Sequence, residues 1–184
     1  MRFATILRGW SRLKNAVAAL KAFHLLRHEI PGAKLDMFGI DYESSGPAHR
    51  WAIAHKVAEG VSFVGALSYE ELLQRVSSDI DVLVHPSLNE TFSMTILEAM
   101  ALRKAVVVGD RTSGMHEMLG SEDGGVFVDA ANPSAIAGAM SRLALDAGFR
   151  TRLAARGFQR ASSMYRLDKV ISHYEQIYAS VLNA

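Results

Sequence analysis

The residues best suited to chemistry in this chain are two carboxylates, Glu90 and Glu98, in the stretch from His85 to Met100. The apolar run 80–84 predicts a strand that ends in a short polar turn, and the helix that follows is predicted to carry both carboxylates. At roughly 100° per residue, the directions of two side chains eight residues apart differ by only about 80° on a helix. One ligand could therefore contact both.

The start of this helix is also a candidate anion site, because a helix start presents unpaired backbone N–H groups and the positive end of the helix dipole. Arg8 and Lys14 flank the turn after the first predicted strand, and parallel strands end at the same edge of a sheet. Two cations and a helix start suit a diphosphate. By spacing alone, the alternative is that both are ordinary solvated cations, with Arg12 as a third.

For Glu90 and Glu98 the alternative is a solvated helix face. Apolar neighbours argue against it for Glu98, because an unpaired buried carboxylate costs several kcal/mol and needs hydrogen-bond donors. No Asp or His cluster with metal-ligand spacing accompanies the pair, so a metal site is disfavoured. His85, alone at a strand end, is expected to be a packed or hydrogen-bonded residue rather than a base.

Hydrophobic periodicity alternates between short β-rich runs and longer helical ones along the whole chain. Strands are predicted at 3–7, 34–40, 61–64, 80–84, 105–108 and 126–128, with helices between them. This order predicts an α/β fold: a doubly wound, Rossmann-like parallel sheet of about six strands with helices on both faces and a helical C-terminus. Ser68 to Glu71 form a capping box. The glycine-rich stretch 120–125 is predicted to be a surface loop, and the apolar stripe of the last helix to pack in the core.

Length and composition fit one domain spanning residues 1–184, since 49% of the residues are hydrophobic and 21% are charged. Twenty basic and 19 acidic residues give no electrostatic case for nucleic acid. The lack of cysteine excludes disulfides and Cys-ligated metals. No apolar run approaches the roughly 20 residues of a transmembrane span and no secretion signal is present, so the cytoplasm is the default location.

The central segment resembles the Glu-x7-Glu signature of group 1 retaining glycosyltransferases, which have the GT-B fold. The matching residues are His85-Pro86-Ser87, Glu90, Phe92, Glu98-Ala99-Met100-Ala101 and the strand 106–108. In that family this half of the enzyme holds the nucleotide-sugar donor. The resemblance implies that Glu90 faces the sugar and that Glu98 binds the ribose hydroxyls. It also implies a nucleoside diphosphate sugar as donor substrate, with no further cofactor and no catalytic metal.

The resemblance implies that Arg8 and Lys14 stabilise the departing diphosphate, because family members place an Arg and a Lys at this turn. The interval between the two is one residue longer here than usual, so Lys14 is the better match. Backbone N–H groups around the helix start are implied to bind the donor as well: Thr91, Phe92, Ser93 and Met94. Ser93 could instead serve only as the N-cap of the helix.

Three further positions are implied to lie near the nucleotide. Gly39 ends the second strand as in the family's glycine turn, and Gly65 and Leu67 fall in the loop that usually brackets the base. The chain departs from the family at Arg103, which follows the helix where glycine is common. Arg103 is therefore expected to adopt a left-handed backbone conformation.

These observations favour the donor-binding domain of a retaining glycosyltransferase that uses a UDP or GDP sugar in polysaccharide or glycolipid biosynthesis. We expect the N-terminal acceptor domain of the GT-B fold to be missing from this chain, and any peripheral membrane contact to be made through that domain. We expect this chain to bind donor but to transfer little sugar alone. Three alternatives remain: a stand-alone nucleotide-sugar-binding subunit that needs a separate acceptor-binding partner, an epimerase of the same fold, and a signalling or flavodoxin-like domain without affinity for nucleoside diphosphates.

Overall fold

A computed structural model describes residues 1–110, 113–120 and 124–182. The strands in these residues are β1 Arg2–Ile6, β2 Lys34–Phe38, β3 Val61–Gly65, β4 Val82–His85, β5 Ala105–Gly109 and β6 Val126–Val128. All pair in parallel, in the order β3-β2-β1-β4-β5-β6. The predicted α/β class and the doubly wound parallel sheet are confirmed.

The helices in the described residues lie between the strands and at the C-terminus. They are α1 Ala16–Glu29, α2 Pro47–Ala54, α3 Tyr69–Asp79, α4 Met94–Ala101, α5 Ser113–Leu119, α6 Pro133–Leu145, α7 Ala147–Met164 and α8 Leu167–Leu182. The capping box of α3 is confirmed, because Ser68 and Glu71 each accept the other's backbone N–H. Within the stretch 120–125, predicted to be a loop, residues 121–123 lie outside the described residues. None of the described helices is both long and apolar enough to span a membrane.

Each face of the sheet carries its own apolar core, because successive side chains of a strand point to opposite faces. In β5, Ala105 and Val107 belong to the core formed with α1, α2 and α6. Val106 and Val108 belong to the core formed with α3, α4 and α5. Helices therefore cover both faces of the sheet. This is what β5 requires, since every one of its residues is buried.

The strand order reverses between the central strands β1 and β4, which are hydrogen-bonded neighbours. The chain leaves β1 for α1 on one face and leaves β4 for α4 on the other face. Loops that part in this way open a crevice at the carboxyl ends of the strands, which is where ligands bind in such sheets. The loops concerned are residues 7–15 and 86–93, and they contain most of the residues singled out from the sequence.

A buried carboxylate in β2, Asp36, pairs with two partly exposed cations from β1 and α3. Asp36 is fully buried, and Arg2 Nη1 lies 3.0 Å from each of its carboxylate oxygens. Arg75 of α3 places Nη2 3.6 Å from Oδ2 of the same residue. Because an uncompensated buried carboxylate is strongly unfavourable, these cations are needed for Asp36 to be tolerated inside the sheet.

The C-terminal helix contradicts the expectation that its apolar stripe packs in the core. No residue of α8, which is described along its whole length, is buried. The stripe is instead largely open to solvent: its exposed members run from 43% for Ile177 to 85% for Leu182, and Val170 is half-buried. The other exposed members of this apolar face are Leu167, Ile171, Tyr174, Tyr178 and Val181. Periodicity predicted an amphipathic helix correctly, but it identifies an apolar face and not what covers that face.

Candidate functional site

The loop after β1 is held in place by the loop after β2. The Gly9 N–H donates to the carbonyl oxygen of Ile40, at 3.3 Å, and the Trp10 N–H donates to Oδ2 of Asp41, at 2.9 Å. The Tyr42 hydroxyl donates to the carbonyl oxygen of Gly9, at 3.0 Å. Burial, with Asp41 nearby, raises the pKa of Tyr42 far above its ordinary value, so this hydroxyl remains a donor. These hydrogen bonds from the loop after β2 thus hold the backbone next to Arg8 in place.

Gly39 and Gly65 have clear backbone roles in this arrangement. Gly39 has a φ of +119°, and a Cβ at this position would overlap the carbonyl oxygen of Leu7. Gly65 has a φ of +83°, and a Cβ there would lie 2.9 Å from the Cβ of Glu43. Both positions therefore require glycine for packing alone. Their contacts with a nucleotide remain predictions.

The β1–α1 loop is also joined directly to the β4–α4 loop. The Asn15 side chain donates to the carbonyl oxygen of Pro86, at 3.0 Å, and the Leu88 N–H donates to the carbonyl oxygen of Leu13, at 2.9 Å. Asn15 itself adopts a left-handed conformation, with a φ of 55°. These bonds lie on either side of Lys14 and hold it against the second loop. The only sequence signal for Asn15 was its position beside Lys14.

Glu90 lies in the loop before α4 and not on the helix, so the prediction that a helix carries both carboxylates was wrong for Glu90. The helix begins at Met94, and Ser93 is its N-cap. The Ser93 hydroxyl accepts the Ile96 N–H, at 3.4 Å, which fixes the first turn and leaves residues 86–93 as a loop. The angular relation between Glu90 and Glu98 derived from helical spacing does not apply.

Two donors converge on one oxygen of Glu90. Lys14 Nζ lies 3.1 Å from Oε2, and His85 Nε2 lies 3.3 Å from the same atom. The side chain of Glu90 is only 18% exposed. The hydrogen bond from His85, together with the pairing with Lys14, lowers the pKa of Glu90, although partial burial opposes this change. Glu90 is therefore a carboxylate at neutral pH.

Arg8, Lys14 and Glu90 line one cavity of about 260 Å³ at the crevice between the two loops. Its other lining residues are Ile6, Leu7, His85, Phe92, Ser93, Met94 and Thr95. The N–H groups of Met94 and Thr95 are the first two of α4, so the helix offers them no internal partner. Cations, a carboxylate and a helix start, predicted separately from the sequence, therefore meet in one place. The rival cation Arg12 is exposed and is not part of this lining.

Glu98 and Tyr69 form a second polar contact on the α3 side of α4. Glu98 is half-buried, and its Oε1 accepts the Tyr69 hydroxyl at 3.1 Å. The contact raises the pKa of Tyr69, through the hydrogen bond and then the negative charge of Glu98. Glu98 does not line the cavity that contains Glu90. Tyr69 was not singled out from the sequence, because its partner is 29 residues away.

Thr91 and Leu67, both implied by the resemblance to bind the donor, lie outside the cavity that contains Glu90. Thr91 is exposed, and its carbonyl oxygen would overlap a Cβ at Gly114, so the start of α5 packs directly on this loop. Leu67 lines a separate groove of about 430 Å³ along α3, together with Val64 and Glu71. Neither lines the cavity that contains Glu90, and the ligand contacts implied for both remain predictions.

The fold is a Rossmann-like α/β domain whose crevice lies where the strand order reverses. Residues 6–160 match the family described as glycosyl transferases group 1. The chain therefore belongs to this family of GT-B glycosyltransferases.

Similar proteins are roughly twice as long as this chain. The lipopolysaccharide core biosynthesis glycosyltransferase LpsE of Rhizobium meliloti is 28% identical over 163 residues, which are 87% of this chain and 46% of LpsE. Sucrose-phosphate synthase from Thermosynechococcus elongatus has a TM-score of 0.78 and 23% identity, covering 99% of this chain and 45% of that one. HepE from Anabaena, in complex with UDP and glucose, has a TM-score of 0.78 and 18% identity, and the match covers 100% of this chain and 48% of HepE. The two structural likenesses show the fold alone.

Proposed function

We propose that this chain is the donor-binding half of a retaining glycosyltransferase and that its cavity holds the diphosphate of a nucleoside diphosphate sugar. The observation that carries the proposal is the convergence of Arg8, Lys14, Glu90 and the start of α4 on one cavity at the switch point of the sheet. A helix start and two cations suit a diphosphate, and a carboxylate beside them suits a sugar hydroxyl.

In the proposed reaction the diphosphate leaves as the glycosidic bond breaks, and negative charge grows on its oxygen atoms. Arg8, Lys14 and the N–H groups of Met94 and Thr95 would stabilise that charge. By comparison with the loss of an oxyanion donor, removal of either cation should cost about 3 kcal/mol in the transition state. Glu90 would accept a hydroxyl of the sugar and orient it. No cofactor besides the donor substrate is part of the proposal.

Glu98 is proposed to accept the ribose hydroxyls. Its Oε1 already accepts the Tyr69 hydroxyl, so Oε2 is the oxygen that Tyr69 leaves to a ligand. Gly65 and Leu67 would lie near the base. The choice between UDP and GDP stays open in this proposal, and the UDP bound to HepE makes UDP the first nucleotide to test.

The acceptor is proposed to bind a second half of the enzyme, since this chain spans less than half of LpsE and of the similar structures named above. A second candidate is that the chain is a stand-alone nucleotide-sugar-binding subunit whose acceptor-binding partner is a separate polypeptide. Such a partner could cover the exposed apolar face of α8, as could a second half of the same polypeptide. A defined partner that co-purifies with the chain would favour this second candidate.

Titration calorimetry with UDP, GDP and ADP tests the proposal directly. We expect one of the three to bind, and Lys14→Met to weaken it about tenfold through the loss of a charge-assisted contact. Lys34→Met is the matched control, because Lys34 is exposed at the start of β2, on the opposite edge of the sheet. The proposal is wrong if no nucleoside diphosphate binds or if Lys14→Met and Lys34→Met bind it equally well.

A further inference from the structure

His85, the last residue of β4, is buried with only 4% of its surface exposed. Its Nδ1 is buried and has no hydrogen-bond partner among the described residues, whereas Nε2 lies 3.3 Å from Oε2 of Glu90. Burying an imidazole with one nitrogen unpaired is unfavourable. An apolar side chain would fill the same space without that cost, so packing alone does not explain a histidine here. The contact with Glu90 does.

The contact also determines which nitrogen of His85 carries a proton. Glu90 is ionised at neutral pH, since its hydrogen bonds lower its pKa. A carboxylate can only accept hydrogen bonds. Nε2 of His85 must therefore donate. Nδ1, which finds no hydrogen-bond partner in the described part of the chain, is the nitrogen that can do without a proton.

Lys14 and His85 hold the same oxygen of Glu90 from two different segments. Lys14 Nζ approaches Oε2 from the β1–α1 loop, at 3.1 Å, and His85 Nε2 approaches it from the end of β4. Both contacts restrict rotation of the carboxylate, and neither engages Oε1. Lys14 also lines the cavity proposed for the diphosphate, so a bound diphosphate competes with Glu90 for it. His85 lines the same cavity but is only 4% exposed, and its Nε2 faces Glu90 from the end of β4.

We infer that His85 is a positioning residue that holds Glu90 by Oε2 and keeps Oε1 available to a hydroxyl of the donor sugar. This inference rests on the proposed function, and it concerns recognition of the sugar rather than of the nucleotide. When Lys14 turns to the diphosphate, His85 remains as the donor that fixes the carboxylate. The role assigned to the imidazole is to hold Glu90 rather than to bind the diphosphate.

Replacements of His85 that differ in where they place a donor test this role. Leucine removes the donor, glutamine places an amide nitrogen near the position of Nε2, and asparagine places one near the position of Nδ1. The wild-type chain and the three variants are titrated with UDP, GDP and ADP and with UDP-glucose, GDP-mannose and ADP-glucose. The quantity compared is the Kd of the nucleoside diphosphate divided by the Kd of the corresponding nucleoside diphosphate sugar. The ratio is taken for the pair that the wild type binds most tightly.

We expect His85→Leu and His85→Asn to lower this ratio about tenfold, the scale of one hydrogen bond to a charged group. His85→Gln should stay within about twofold of the wild type, because its amide restores the donor. The nucleoside diphosphate alone should bind all four proteins with similar affinity. Thermal unfolding of each variant shows that it is folded.

The outcomes separate the inference from the proposed function. Failure of the wild type to bind any nucleoside diphosphate overturns the proposed function. Binding with the same ratio in His85→Leu and in the wild type overturns only the positioning role. An equal loss in His85→Leu and His85→Gln assigns the effect to packing of the ring and also overturns the role.

A measurement without ligand covers the case in which a variant does not fold. Long-range proton–nitrogen correlation spectra of the wild type identify the protonated ring nitrogen of each histidine, and the signal absent from any folded His85 variant belongs to His85. If all three variants unfold, assignment from the backbone identifies the signal instead. We expect a proton on Nε2. A proton on Nδ1 alone would overturn the inference, because such an imidazole has no hydrogen to give Glu90.

Discussion

Replacement of Glu98 by alanine is expected to weaken nucleoside diphosphate binding only when the nucleotide carries its ribose hydroxyls. Glu98 is half-buried on α4, and its Oε1 accepts the hydroxyl of Tyr69 at 3.1 Å. The second oxygen, Oε2, is not used by Tyr69. A ribose hydroxyl can therefore donate to Oε2 while Tyr69 stays where it is.

The expected loss follows from this half-buried position. A hydrogen bond to a charged acceptor contributes about 1.5–3 kcal/mol. Water competes for a carboxylate that is only half-buried, so we expect about 1–2 kcal/mol, or roughly a five- to thirtyfold increase in Kd. Tyr69 loses its acceptor in the variant, but it is 60% exposed, and water replaces that acceptor. The free energy of unfolding should therefore change by less than about 1 kcal/mol.

Calorimetry with UDP and with 2′,3′-dideoxyuridine diphosphate, or with the corresponding guanosine pair, measures this effect. The wild type should prefer the ribonucleotide, and Glu98→Ala should bind both nucleotides as weakly as the wild type binds the dideoxy form. Glu70→Ala is the matched control, because it removes an exposed carboxylate from the residue next to Tyr69. An equal loss for both nucleotides in Glu98→Ala, or no loss at all, would refute the ribose role.

Three further changes test the architecture around the site. Gly39→Ala should lower the free energy of unfolding, measured in urea, by more than about 2 kcal/mol, because a Cβ there overlaps the backbone. Gly138→Ala is its control: a Cβ there meets nothing within 4 Å, so this change should be neutral or stabilise the protein by up to about 1 kcal/mol. Arg2→Met should destabilise by about 2–3 kcal/mol in the same assay, because it removes the nearer cation from the buried carboxylate of Asp36. The imidazole and ammonium donors lower the pKa of Glu90, so its ionised form stabilises the fold. The difference in stability between the wild type and Glu90→Gln should be constant above about pH 5 and shrink as the pH falls below about 4.5.

Each of these expectations has a contrary result. Equal unfolding free energies for Gly39→Ala and Gly138→Ala would mean that the β1–α1 loop does not need the close approach at Gly39. An unchanged unfolding midpoint for Arg2→Met would mean that the pairing of Arg2 with Asp36 does not stabilise the fold. A difference between wild type and Glu90→Gln that grows on acidification would mean that the pKa of Glu90 is raised rather than lowered.

The features that the sequence predicted best depend on chemistry local to the chain. Ser68 and Glu71 are three residues apart, so the capping box could be recognised without knowledge of the fold. Arg103 follows α4 where the backbone must turn left-handed, and its φ is +56° as expected. The alternation of short apolar runs and helices along the chain predicted the parallel sheet, because right-handed crossovers leave few other arrangements for such an order.

Contacts between distant segments explain what the sequence did not predict. Helical periodicity extended α4 back to Glu90, whereas the hydroxyl of Ser93 caps the helix and starts it at Met94. His85 was expected to be packed or hydrogen-bonded, and its partner is identified only once the loop folds back to place Glu90 beside it. The apolar face of α8 is solvent-exposed in the structure. A repeat of apolar residues carries no information about the surface that covers it.

The central claim is that the crevice between the β1–α1 and β4–α4 loops holds a diphosphate. A crystal structure of this chain with the tightest-binding nucleoside diphosphate tests it most directly. We predict phosphate oxygens within hydrogen-bonding distance of Lys14 Nζ and of the backbone N–H groups of Met94 and Thr95. A nucleotide bound with its diphosphate outside this cavity would contradict the account.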